Sequence, residues 1–193
     1  MKYRRLGITG MKVSEISIGS WLTYGSDNLA FDAAAQCLNT AIENGINFID
    51  TADIYAKGKA EESVGSVVKN HDRSKLVIST KAYRPMSDDP NDVGLSRKHL
   101  FESIEKSLKR LQTDYIDIFY CHRYDIDTTT EETVRALSDL ITQGKIRYWG
   151  TSMWESWQID EAARIAKDVN GYLPVVEQPV YNMFQRDTVE GDY

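Results

Sequence analysis

Four side chains of complementary chemistry stand at or just beyond short apolar runs. Asp50 follows Phe48-Ile49, with Tyr55 five residues on. Lys81 follows Leu76 to Thr80, and His122 comes just after Tyr115 to Tyr120. Together they supply a carboxylate, a phenol, an ammonium and an imidazole. A free phenol, with a pKa near 10, is a poor acid at neutral pH. A nearby ammonium favours the phenolate, and each unit of lowering is about 1.4 kcal/mol. The expected roles follow: Tyr55 gives a proton, Lys81 lowers its pKa, Asp50 holds Lys81, and His122 orients a carbonyl oxygen. With nothing nucleophilic beside them, the set suits reduction of a C=O by a cofactor's hydride. Each residue also has an ordinary reading: an Asp after a strand caps a helix, a Lys is solvated, a His is structural. Their joint occurrence on three successive strand ends favours a shared site.

The elements that must position them alternate along the chain. Tyr3 to Ser14 reads as a small hairpin around Gly7-Ile8-Thr9-Gly10. Strands are expected at Ile16–Gly19, Ile46–Ile49, Leu76–Thr80, Tyr115–Tyr120, Ile146–Trp149 and Val175–Glu177. Helices are expected at Phe31–Asn44, Ala60–Asn70, Arg97–Leu111, after a Thr129/Glu132 capping box, and at Trp157–Val169 behind a Ser156 cap. Gly45 and Gly144 read as helix stops. The start of a sixth helix is expected beyond the last strand. Short apolar strands alternating with amphipathic helices imply an α/β fold with a parallel sheet. An open dinucleotide-binding sheet should show G-x-G-x-x-G after its first strand, and here Gly19-Ser20-Trp21 follows instead. No P-loop occurs either. The better reading is an (β/α)8 TIM-barrel type, incomplete at about six βα units, in a single domain over residues 1–193. In such a barrel every strand delivers its C-terminal end to one rim, where the site forms.

Bulk properties exclude other classes. The 193 residues are 41% hydrophobic and 27% charged, with a formal net charge of -6. That acidic balance argues against nucleic acid or an anionic membrane as main partner, while leaving room for a local basic pocket. Cys37 and Cys121 have neither metal-type nor redox-type spacing and read as reduced thiols in a cytoplasmic protein. Neither a signal-peptide core nor a membrane-length apolar run is evident. Trp149, Trp154 and Trp157 read as packing residues, and His71 and His99 as surface residues.

At these residues the chain resembles the aldo-keto reductases, in particular their potassium-channel β-subunit-like branch. The segments that carry the likeness are GSWLTYG (19–25), FIDTADIYAKGKAEESVG (48–65), STK (79–81), GLSRKHL (94–100) and YCHRYD (120–125). EETVRAL (131–137), YWGTSMW (148–154) and EQPVYNMFQR (177–186) continue it. The resemblance implies a barrel closed below by the hairpin, NADPH as cofactor, and small aldehydes or ketones as substrates. It implies a catalytic tetrad of Asp50, Tyr55, Lys81 and His122. It also implies cofactor contacts at Ser20, Trp21, Asp27, Asp50, Ser152 and Gln178, the last two toward the nicotinamide carboxamide. Met153 stands where relatives carry Asn or Arg, and no role is carried onto it. Animal channel β-subunits tend to have Asn at the position of His122, so the resemblance favours a working reductase over a regulatory subunit. A channel-type partner or a redox-sensing interaction module is the alternative.

A whole barrel needs about 250 residues. The chain is therefore expected to lack the last two strands and the loops that grip the cofactor's phosphates, and to be a fragment with reduced cofactor binding. Its two sheet edges, Ile16–Gly19 and Val175–Gln178, are expected to pair with other chains, through aggregation or homo-oligomers.

Overall fold

The structure, a computed structural model, describes residues 1–25 and 31–193. The N-terminal hairpin pairs β1 (Tyr3–Arg5) with β2 (Lys12–Ser14). Six parallel strands then follow in sequence order across one sheet: β3 (Ile18–Gly19), β4 (Phe48–Asp50), β5 (Val77–Ala82), β6 (Ile116–Cys121), β7 (Ile146–Ser152) and β8 (Glu177–Gln178). Between them run α1 (Phe31–Glu43), α2 (Lys59–Val68), α3 (Arg97–Leu111), α4 (Thr130–Thr142) and α5 (Ser156–Asp168). Every strand pairs with its neighbour in sequence, so the sheet curls into a six-stranded half-barrel wrapped by helices.

Strand parity decides what faces where. Ile49, Ile78, Phe119, Cys121 and Trp149 belong to the large core shared with the helices, together with Leu38, Val64, Ile104 and Leu137. The alternate positions Val77, Ile118 and Tyr120 form a second cluster with Leu6 of the hairpin segment, with Phe48, Val175 and Val176 against it. Side chains two apart share a face. The inner face therefore reads Phe48 then Asp50, Val77 then Ser79 then Lys81, and Ile118 then Tyr120 then His122. Apolar residues fill its lower end under the hairpin, and polar ones crown the C-terminal end.

The helices form where apolar spacing and capping agree. α3 spans the expected residues; its Ser96 cap accepts from His99 N at 3.2 Å, and Gln112 ends it in the left-handed region at φ 53°. Gly45 (φ 86°) and Gly144 (φ 73°) terminate α1 and α4 as expected.

Several expectations are corrected. His99 is fully buried, because it shares the inward face of α3 with Ser103 and Ser107. His71 is half-buried, its Nε2 2.7 Å from Asn39 Oδ1. Only half of the Thr129/Glu132 capping box forms: Thr129 accepts from Glu132 N at 3.3 Å, but the Glu132 carboxylate accepts from Arg97 N at 2.9 Å. The reciprocal box lies at α5, where Glu155 and Gln158 make it and Ser156 is already helical. The first barrel strand shortens to Ile18–Gly19, with Ile16 exposed. The sixth shifts to Glu177–Gln178; upstream, Val175 N still donates to Trp149 O at 3.0 Å. Beyond it stands a short π-helical turn, Thr188–Asp192, instead of a regular helix. Trp149 and Trp154 pack inside, whereas Trp157 is largely exposed and edges onto Tyr124.

Behind the inner polar crown sits a buried network joining α2, α3 and β5. Glu61 accepts from Thr80 Oγ1 at 2.5 Å and from Arg110 Nε at 2.6 Å. Asp53 accepts from Ser103 Oγ at 3.1 Å and is itself fully buried. Burial, then the Glu61 charge, pushes the Asp53 carboxyl up to about 7. An unfolded Asp loses its proton near 3.9, so the folded state holds the extra proton between about pH 4 and 7. Stability from this group is complete below that window and falls as pH rises through it. Asp53→Asn cannot titrate. Its stability relative to wild type should rise by roughly 3 kcal/mol between pH 4.5 and 7.5. Urea unfolding at both pH values checks this, and a difference independent of pH would refute it.

Candidate active site

The site is built on the inner-face ends of β4, β5 and β6. β4 and β5 place Asp50 opposite Ser79, and β5 and β6 place Lys81 opposite Tyr120. Lys81 is 1% exposed, and its Nζ donates to Asp50 Oδ2 at 2.6 Å and to Thr51 O at 2.8 Å. Ser79 Oγ donates to the other Asp50 oxygen at 2.6 Å. The ammonium also lies 5.1 Å from the Tyr55 ring centre and 5.8 Å from that of Tyr120. Tyr55 opens a 3-10 turn, Tyr55–Gly58, in which Ala56 and Lys57 take left-handed φ of 48° and 50°. Such backbone costs on the order of 1–2 kcal/mol per residue and persists where surroundings fix it. The Tyr55 ring meets His122 edge-on, with centres 5.8 Å apart, and Trp21 at 6.4 Å.

These groups line one cleft of about 770 Å3 at the C-terminal ends of the strands. Asp50, Tyr55 and His122 line it together with Trp21, Ser152 and Gln178, while Lys81 lies beneath its surface. Three of the four expected catalytic side chains thus face the cleft, and the fourth touches them from below. Ser20 does not line it: it is buried, and its Oγ donates to Thr51 Oγ1 at 2.8 Å. Asp27 lies outside the described residues. Ser152 pairs with Gln178 in register and donates to the Gln178 carbonyl at 3.1 Å.

The electrostatics depart from expectation at one group. The Tyr55 phenol is pushed up to about 12, first by burial and then by the Asp50 carboxylate. The lowering influence comes from Arg123, while Lys81, paired with Asp50 at 2.6 Å, lies 5.1 Å from the ring centre. His122 is drawn down to about 3 by burial and then by Lys81, Arg123 and Arg84, so its ring is neutral at physiological pH. Burial lowers the Lys81 pKa while Asp50 opposes it.

Residue-by-residue reading passed over Arg84 and Arg123, both in the cleft wall. Each carries a sequence signal: Arg123 directly follows His122, and Arg84 stands three residues after Lys81. Among the described residues no cluster of His, Cys, Asp and Glu could hold a metal ion. No described helix is long and apolar enough to cross a membrane.

A curled parallel sheet thus carries a carboxylate, a phenol, an ammonium and an imidazole together at its C-terminal rim. Residues 15–191 match the family model described as Aldo/keto reductase family. The chain is 46% identical to a protein of Arabidopsis thaliana described as a probable voltage-gated potassium channel subunit beta. It is 45% identical to a rice protein (Oryza sativa subsp. japonica) of the same description. In both cases all of this chain is matched against 59% of the relative. The crystal structure of a thermostable aldo-keto reductase in complex with the inhibitor epalrestat superimposes with a TM-score of 0.83 at 32% identity. That match covers 97% of this chain and 65% of the other. The chain belongs to the aldo/keto reductase family and spans about three-fifths of the length of these curated relatives.

The Lys81–Asp50 pair makes a stability prediction. Asp50→Asn leaves a buried ammonium without its counter-charge and should cost about 3–5 kcal/mol. Adding Lys81→Met removes the stranded charge and should recover most of that loss. Denaturant titration of the single and double variants measures it; a double variant no more stable than Asp50→Asn would refute the account.

Proposed function

We propose that this chain carries the acid–base half of an NADPH-dependent reductase of aldehydes and ketones, with Tyr55 as proton donor. The observation that carries this reading is the contact set of Tyr55, His122 and the buried Lys81–Asp50 pair at one cleft. A phenol with a pKa near 12 is fully protonated at pH 7 and so is present as a donor. A developing alkoxide is more basic than phenolate and takes the proton. The tyrosinate left behind lies beside Lys81 and within the influence of Arg123. Neutral His122 is suited to orient a carbonyl oxygen by a hydrogen bond without competing as an acid.

The cleft residues suit a nicotinamide. The Gln178 side-chain amide has no hydrogen bond among the described residues, and Ser152 stands next to it on the adjacent strand. A free amide and a hydroxyl complement a carboxamide, and the apolar Trp21 ring offers a flat surface across from them. Ser152 and Gln178 would hold that ring. When bound, NADPH supplies the hydride to the carbonyl carbon and leaves as NADP+, while the oxygen gains the Tyr55 proton. The product is an alcohol.

A second reading has its own support in the names of the plant relatives, which are described as probable channel β-subunits. On that reading the chain is part of a regulatory subunit for a potassium channel in a cytoplasmic setting. Co-purification with the cytoplasmic portion of a plant potassium channel would favour it.

Titration with NADPH, followed by nicotinamide fluorescence, tests the cofactor assignment. Turnover of 4-nitrobenzaldehyde then tests the chemistry. Tyr55→Phe should lower turnover by about 10²-fold or more while leaving NADPH affinity within a few-fold. With His122 near 3 and Tyr55 near 12, the rate of proton transfer should show no His122 or Tyr55 inflection from pH 5 to 9. Unchanged turnover in Tyr55→Phe would refute the role of the phenol.

A further inference from the structure

From the same cleft, and resting on the reductase reading above, we infer that its substrate carries an anionic group, a carboxylate or phosphate, held by Arg84 and Arg123. Arg84 lies in the loop after β5 and Arg123 is the second residue after β6, and both line the cleft with Tyr55 and His122. Neither forms an ion pair among the described residues. Arg123 donates to the carbonyl of its neighbour His122, and Arg84 stands beside the Tyr83 ring, 5.9 Å from its centre.

The charge balance of the cleft supports the inference. Lys81 and Asp50 neutralise each other at 2.6 Å. Glu177 is the remaining carboxyl near Arg123; it accepts from Met153 N at 2.5 Å, and burial raises its pKa. Two guanidiniums in the cleft wall therefore face one carboxyl, Glu177. They oppose each other, since Arg84 lowers the pKa of Arg123, and both act on His122. An anion placed between them relieves that repulsion and gains charge-assisted, potentially bidentate hydrogen bonds. The rest of the molecule is acidic, with a net charge of -6, so the positive rim is a local feature. The Tyr55 and His122 rings, with centres 5.8 Å apart, line the same cleft as both arginines.

The test compares 4-carboxybenzaldehyde with its uncharged methyl ester, using calorimetry on the 193-residue chain. The acid should bind about tenfold tighter than the ester at low salt, with the advantage shrinking as NaCl rises. Arg84→Gln, an exposed change with little effect on folding, and Arg123→Gln should each bring the acid-to-ester ratio close to one. Equal binding of acid and ester, failure of the acid to bind, or a ratio unchanged in both variants would overturn the inference. So would variants that weaken NADPH binding and leave the ratio intact, because the guanidiniums would then serve the cofactor's phosphates. If acid preference holds and neither aldehyde is reduced with NADPH, the anion site stands and the reductase reading fails.

Discussion

The molecule's central constraint is a single ammonium buried at 1% exposure on the inner face of a parallel sheet. A lysine in that position is costly unless a carboxylate meets it at contact distance. Asp50 does so from the next strand, and Ser79 fixes the carboxylate in turn. The pairing works only in one register. Slipping β4 against β5 by one residue would turn Asp50 to the helical face and leave Lys81 alone among apolar neighbours. The ion pair thus specifies strand alignment, and the same alignment sets the ammonium 5.1 Å from the Tyr55 ring, which meets His122 edge-on. Tyr55 is held by its own left-handed turn, so the backbone strain at Ala56 and Lys57 lies where precise placement of the phenol matters.

Much of this was legible in the residues. Alternating strand and helix signals located every barrel strand and helix, and α3 appeared with its ends intact because stripe, cap and terminal charges agreed. The convergence of Asp50, Lys81 and His122 followed from the rule that parallel strands end on one rim. Boundaries were poorer where polar residues belong to a strand. Lys81 and Ala82 continue β5, and Gly150 to Ser152 continue β7, because the inner face of a barrel accepts polar side chains near its rim. An apolar-run criterion stops short there.

What the residues could not show was the environment of each group. Spacing placed an ammonium near Tyr55, but only geometry reveals that it is buried in an ion pair with Asp50 and that burial and the Asp50 carboxylate push the phenol up. His99 looked like a surface residue because one histidine adds little to a helical stripe. Its burial depends on the way α3 packs between its neighbours, which is a tertiary fact. Arg84 and Arg123 were passed over for a related reason: on sequence alone an arginine in a loop is indistinguishable from a solvated one.

The cleft keeps its phenol protonated, and on the proposed reading it must also support a developing phenolate. In the resting site Lys81 is matched by Asp50, so burial dominates and Tyr55 stays neutral. The guanidinium of Arg123 forms no ion pair among the described residues, although Glu177 acts on it, and it is the influence that favours the phenolate. A substrate anion resting on that guanidinium would weaken its help to Tyr55. On the proposed reading, charge at the rim couples substrate binding to proton donation. The arrangement that best serves both is one in which Arg84, which is not among the charges acting on the phenol, shares the anion and so leaves part of the Arg123 charge to the tyrosine.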